Sequence, residues 1–158
     1  MRIRSLEPAD RGWLEAFIRE QWGSDVQAFH GERIRPAEYP GFVAEENGAY
    51  VGVITLRFFD DVCEMVTVNA TPKGHGVGSA LVAAVAEHAR ARGCTQVRVT
   101  TTNANLDALR FYMRRGFRLV ELRPGAVDSA REELKPEIPE TGAYGIPMHD
   151  EVELEMRL

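Results

Sequence analysis

The chain has 158 residues, a net charge of -5, and 44% hydrophobic and 27% charged residues, the profile of one ordinary globular domain with a real core. The acidic balance argues against non-specific nucleic-acid binding and mildly favours cationic small partners. No apolar run is long enough to cross a bilayer and Met1-Arg2-Ile3-Arg4-Ser5 carries no signal region, so a cytoplasmic protein with no membrane partner is expected. Arg2 to Leu6 reads as a first strand. Pro8 opens a helix to about Trp22, with Trp13, Leu14, Phe17 and Ile18 on one face. Gly23 to Pro40 is ambiguous between a loop and a broken helix. Phe42 to Glu45 and Tyr50 to Phe59 flank Asn47-Gly48, a strong hairpin signal. Asp60-Asp61 turns the chain into Val62 to Val68, which is apolar on both faces as a central strand requires.

Lys73-Gly74-His75-Gly76-Val77-Gly78-Ser79 follows that strand and leads into a helix predicted over Ser79 to Arg92, with Leu81, Val82, Val85, Ala86 and Ala89 on one side. Gly93 stands where a helix end favours a left-handed residue. Gln96 to Thr101 is a strand, Asn105 to Arg115 a short helix closed by Gly116, and Phe117 to Leu122 another strand. Pro124 to His149 is a Pro/Gly-rich insertion that allows a short helix at Ala126 to Leu134. The C-terminus alternates Val152, Leu154, Met156 and Leu158 with Glu151, Glu153, Glu155 and Arg157, which predicts one buried and one wet face. The element order describes a single α/β domain over 1–158, built on one mixed sheet.

A strand, a glycine-rich loop and a helix start together make a phosphate cradle, because the first helical amides point outward and the dipole favours negative charge. Two common loops fail on spacing. A Walker loop needs its lysine after the last glycine, and Lys73 precedes them. A dinucleotide loop needs its third glycine one position later than Gly78.

The spacing that fits is Lys73-x-x-Gly76-x-Gly78, followed by Asn105-x-x-Ala108-x-x-Phe111-Tyr112-x-x-x-Gly116-Phe117. Together these resemble motifs A and B of the Gcn5-related N-acetyltransferase superfamily, and the resemblance is strong over about Tyr50 to Val120. It implies that fold, with a mixed, largely antiparallel sheet flanked by helices. It also implies acetyl transfer from acetyl-CoA to a primary amine of a small molecule or peptide by direct attack. The pyrophosphate is then expected on the amides of Gly74, His75, Gly76, Val77, Gly78 and Ser79, with Lys73 as the cation before them. Pantetheine is expected along Met65, Val66 and Val68, entering where that strand and Gln96 to Thr101 splay apart. Asn105 is expected near the cofactor, and Tyr112 as the acid that protonates the departing thiolate.

The family's base slot falls on Val62, so Glu64, on the same strand face, is the candidate base directly or through water. The oxyanion needs a donor, which the amide of Val66 can supply. No covalent enzyme intermediate is required. Two alternatives stand beside this reading: a non-catalytic acyl-CoA-binding module, and transfer of a longer acyl group.

Blander readings apply to single residues. Asn105 also suits a helix cap, Tyr112 a core aromatic, and Glu64 a solvated strand-end carboxylate. The Glu151, Glu153 and Glu155 row reads as a wet strand face, or as one wall attracting a cationic amine. His75, His30 and His149 lie in loops. Cys63 and Cys94 read as small core thiols, and with no metal-type spacing no metal is expected. The edge strands are compatible with a homodimer.

Overall fold

The structure, a computed structural model, describes residues 1–158 apart from the side chain of Phe29. Its elements run β1 (Arg2–Ser5), α1 (Arg11–Trp22), β2 (Gln27–Phe29), β3 (Glu32–Ile34), β4 (Gly41–Glu46), β5 (Ala49–Phe59) and β6 (Val62–Ala70). Then follow α2 (Val77–Ala91), β7 (Gln96–Thr102), α3 (Leu106–Met113), β8 (Arg118–Arg123), α4 (Ala126–Glu133) and β9 (Glu151–Arg157). The chain forms two compact units, one of Met1–Asp25, Pro36–Val97 and Arg157–Leu158, the other of Val26–Arg35 and Arg98–Met156. Among the described residues no helix is long and apolar enough to cross a membrane.

In the first unit β1, β4, β5 and β6 lie side by side in that order, each antiparallel to the next. The turns set the register. Asn47 and Gly48 take φ of 52° and 79°, the left-handed pair that matches hairpin twist, and Glu46 pairs with Ala49. Leu14 and Ile18 of α1 are fully buried against Val53, with Trp13 and Phe17 alongside. A Cβ on the neighbouring Gly52 would meet Val77 and Leu81 of α2. Successive strand residues face opposite ways, so α1 and α2 cover opposite faces of this sheet.

In the second unit β2 and β3 form a small hairpin inside the segment that read ambiguously. The sheet edge runs β7, β9, β8, with β8 and β9 antiparallel and a bulge at Val120. The Pro/Gly-rich segment is an ordered strap. Arg131 donates to the carbonyls of Ile138, Pro139 and Met148 at 3.0, 2.8 and 2.9 Å, and Asn103 holds Pro147, His149 and Asp150.

Two expectations change. Helix α2 begins at Val77, not Ser79, because Gly76 at φ 80° is already its N-cap. The carboxylate face of β9 is not wet: Glu153 is buried, since Arg123 bridges it and Glu151 while Arg98 covers Glu155.

Candidate functional site

In the first unit the residues singled out from the sequence lie along β6, the loop after it and the first turn of α2. Between β5 and β6 the pairing shifts from Thr55 opposite Thr67 to Leu56 opposite Met65. Val66 therefore has no residue opposite it on β5; it is a bulge, the usual way a strand re-aims its backbone near a site. Lys73, Gly74, His75 and Gly76 are exposed, whereas Val77 and Gly78 are buried in the helix start. The loop turns through Gly74 at φ 85° and Gly76 at φ 80°, follows a cis Thr71–Pro72 bond, and His75 Nδ1 lies 3.2 Å from the Lys73 carbonyl. No side chain caps α2 at Gly76. The predicted cradle residues Val77, Gly78 and Ser79 are thus the first helical turn, and Gly74 to Gly76 are the loop proper.

Glu64 is not a solvated strand-end group. It is 1% exposed, mid-strand, and accepts a hydrogen bond from Arg57 Nε at 2.9 Å. Arg57 was not singled out from the sequence, yet the signal was there: a two-residue turn at Asp60-Asp61 pairs Phe59 with Val62 and so Arg57 with Glu64. Thr55, on the same face, is fully buried and its Oγ1 has no hydrogen-bond partner among the described residues. Arg57 and Glu64 satisfy each other, and the Thr55 hydroxyl beside them is a buried polar group that a water or a polar ligand would satisfy.

In the second unit α3 carries both remaining residues. Asn105 is its N-cap and its side chain accepts the Ala108 amide at 3.3 Å. Tyr112 is in its last turn, 5% exposed, with ring centroids 5.3 Å from Phe111 and 5.4 Å from Phe117. Burial alone raises its phenol above the ordinary tyrosine range, so it is a neutral O–H donor at physiological pH. His149 pairs with Asp128 on the strap, 2.9 Å from Nδ1.

Three comparisons bear on this arrangement. The model of the acetyltransferase (GNAT) family matches residues 5–117, a span that contains both glycine loop and Tyr112. The uncharacterised protein YdhI of Bacillus subtilis (strain 168) is 36% identical over 140 residues, covering 88% of this chain and 87% of its own length. An IAA acetyltransferase from Bacillus cereus ATCC 14579 superposes with a TM-score of 0.72 at 21% identity, covering 99% of both chains. A GNAT family acetyltransferase from Elizabethkingia anophelis, solved with acetyl-CoA bound, gives a TM-score of 0.70 at 18% identity, over 99% of this chain and 97% of that one. These structural likenesses show the fold, a mixed sheet flanked by helices as in acyl-CoA N-acyltransferases. The family match spans well over half of the chain, and the chain belongs to the acetyltransferase (GNAT) family.

Proposed function

We propose that residues 1–158 act as one catalytic domain that moves an acetyl group from acetyl-CoA to a primary amine by direct attack. The observation that carries this is the start of α2 at Gly76, where no side chain caps the helix, following the glycine loop that leaves the strand bulged at Val66. A left-handed glycine at the N-cap leaves the helix end to backbone donors, which suits a pyrophosphate, and the bulge frees strand backbone for an extended amide-bearing arm. Both features fit acetyl-CoA, which supplies the acyl group as a thioester.

The chain's own residues then divide the work. Lys73 and the backbone of Gly74, His75, Gly76, Val77, Gly78 and Ser79 hold the pyrophosphate. Backbone groups of Met65, Val66 and Val68 hold the arm, and Asn105 approaches it while capping α3. Tyr112 gives its proton to the leaving thiolate; a phenol kept neutral by burial is suited to that. Glu64 accepts the proton lost on attack, directly or through water, with Arg57 fixing its carboxylate. The acidic net charge is consistent with a cationic acceptor.

The test is turnover and binding together. Acetyl-CoA should bind by calorimetry, and a panel of benzylamine, lysine, spermidine and an alanine-terminated peptide should release free CoA. Tyr112→Phe should lower kcat about 100-fold or more with acetyl-CoA affinity unchanged. Binding without turnover, with Tyr112→Phe silent, identifies an acyl-CoA-binding module instead. Faster release from propionyl- or succinyl-CoA would move the donor to a longer acyl group.

A further inference from the structure

In the second unit β8 ends the sheet: it pairs with β9 on one side and has no strand on the other. Its outward N–H and C=O groups therefore lack a strand partner, the condition that invites another chain to pair. The edge strand of the first unit, β1, is four residues long and carries Arg2 and Arg4; short length and charge both blunt an edge. β8 is longer, holds no proline, and leaves Leu119, Val120 and Leu122 exposed by 56%, 50% and 59%. An uncovered apolar edge of this kind marks an association surface.

Side chains alternate along a regular strand, so Leu119 and Leu122, three positions apart, would face opposite ways. The bulge at Val120 inserts one residue and removes that conflict. Leu119 stands beside Leu154 and Leu122 beside Val152, on the apolar face of β9. Arg118, Glu121 and Arg123 stand beside Glu155, Glu153 and Glu151 on the other face. The bulge thus sorts β8 into an apolar face and a face that reads Arg, Glu, Arg. Arg118 is exposed and forms no ion pair among the described residues. Glu121 is half exposed and meets Arg123 through Oε2 alone, at 3.1 Å.

We propose that β8 pairs antiparallel with β8 of a second copy of this chain, joining two molecules through a twofold interface. A twofold axis normal to the sheet makes two copies of one strand antiparallel and sets each residue against one on the same face. With the bulge counted, one such register puts Arg118 opposite Glu121 of the second copy, and Leu119 and Val120 opposite the same two residues. Symmetry repeats the Arg118 contact, so two ion pairs flank one apolar centre. The next register along sets Arg118 against Arg123 and Glu121 against Glu121, and like charges directly across a strand pair are unfavourable. The one beyond overlaps only Glu121 to Arg123 and draws on Arg123, already bound to Glu151 at 2.9 Å. An edge whose charges and apolar face match themselves in a single register fits its own copy rather than an arbitrary peptide. Pairing through β8 is independent of the acetyl donor and of the acceptor.

Sedimentation velocity of the full chain tests this. Wild type should show a reversible dimer, twice the 17.7 kDa chain mass, within a concentration series reaching about 100 µM. Arg118→Glu should raise the dimer dissociation constant about tenfold, because it sets like charges across the pair twice. Adding Glu121→Arg should recover most of that loss, since the pair is restored with its signs exchanged; only this register gives that rescue. Amide hydrogen exchange over 118–123 should slow as wild-type concentration rises, and not in Arg118→Glu. A wild type that stays monomeric at about 100 µM overturns the inference and leaves the edge to a strand of another protein. A dimer whose dissociation constant neither Arg118→Glu nor Leu119→Lys moves has its contact elsewhere, and overturns it too. Arg118 is exposed and unpaired, so Arg118→Glu keeps the test decisive if the double variant does not fold.

Discussion

Arg57 and Glu64 face each other because Asp60 and Asp61 turn the chain between them, and the ion pair that results is desolvated on the carboxylate side. Asp10 is another buried carboxylate held by an arginine. Arg4 donates to both of its oxygens, at 2.7 and 2.9 Å, and the Glu7 amide and Tyr50 hydroxyl add to them. Chiefly the Arg4 hydrogen bonds hold Asp10 well below the usual carboxylate range. Because its folded pKa is depressed, the stability it adds is fully present above the unfolded value of about 3.9 and is lost as pH falls below it. Asp10→Asn should cost about 1.5–3 kcal/mol at pH 7 and flatten the melting-temperature profile below about pH 4, read by circular dichroism. Cys63 behaves oppositely: burial, then the neighbouring Cys94, push its thiol up to about 12. So little thiolate is present at pH 8 that iodoacetamide should label Cys63 only after denaturation; native labelling at the rate of a free thiol would contradict its burial. The sequence marked Cys63 and Cys94 as core thiols, which holds for Cys63 but not for the half-buried Cys94; of its two readings of Glu64, candidate base or solvated strand-end carboxylate, burial removes the second, since exposure depends on what packs over the strand.

The stretch from β6 through α2 is the element most legible in the sequence. An apolar run, spaced glycines and a 3.6-residue apolar stripe are local signals, and the buried stripe of Leu81, Val82, Val85, Ala86 and Ala89 is the one expected. The two-residue shift in the helix start is equally physical, since Gly76 caps and Gly78 is tolerated inside the first turn. Less visible was the seat of that turn on Gly52. A Cβ there would lie 2.7 Å from Val77 Cγ1, 2.9 Å from Leu81 Cδ1 and 3.0 Å from the Asn69 carbonyl. Gly52→Ala should therefore cost about 1–3 kcal/mol and lower the melting temperature by several degrees. It should also weaken acetyl-CoA binding measured by calorimetry, because the first turn of α2 must lift. A substitution that left both unchanged would show that Val77 and Leu81 repack freely. The strap at 124–149 was legible only as proline and glycine; that it is ordered follows from Arg131 and Asn103, whose partners are far along the chain.

At the scale of the whole molecule, net charge and donor chemistry oppose each other. The chain carries -5, yet its proposed donor is a polyanion, so attraction must come from the glycine loop rather than from the overall field. Lys73 is exposed at the start of that loop. Lys73→Ala should raise the acetyl-CoA dissociation constant about 2–5-fold at low salt, less at 0.5 M salt where the Debye length is only a few ångströms. A salt-independent loss would point to a packing role for the side chain. By itself the sequence determined the strand–loop–helix order, the faces of α1 and α2, the hairpin at Asn47-Gly48 and the two motifs that resemble those of the family, because each depends on residues close together in the chain. Only the tertiary structure decided that Glu64 is buried against Arg57 and that the glutamates of β9 lie under arginines. Burial and charge pairing are set by residues far apart in sequence, and no local period encodes them.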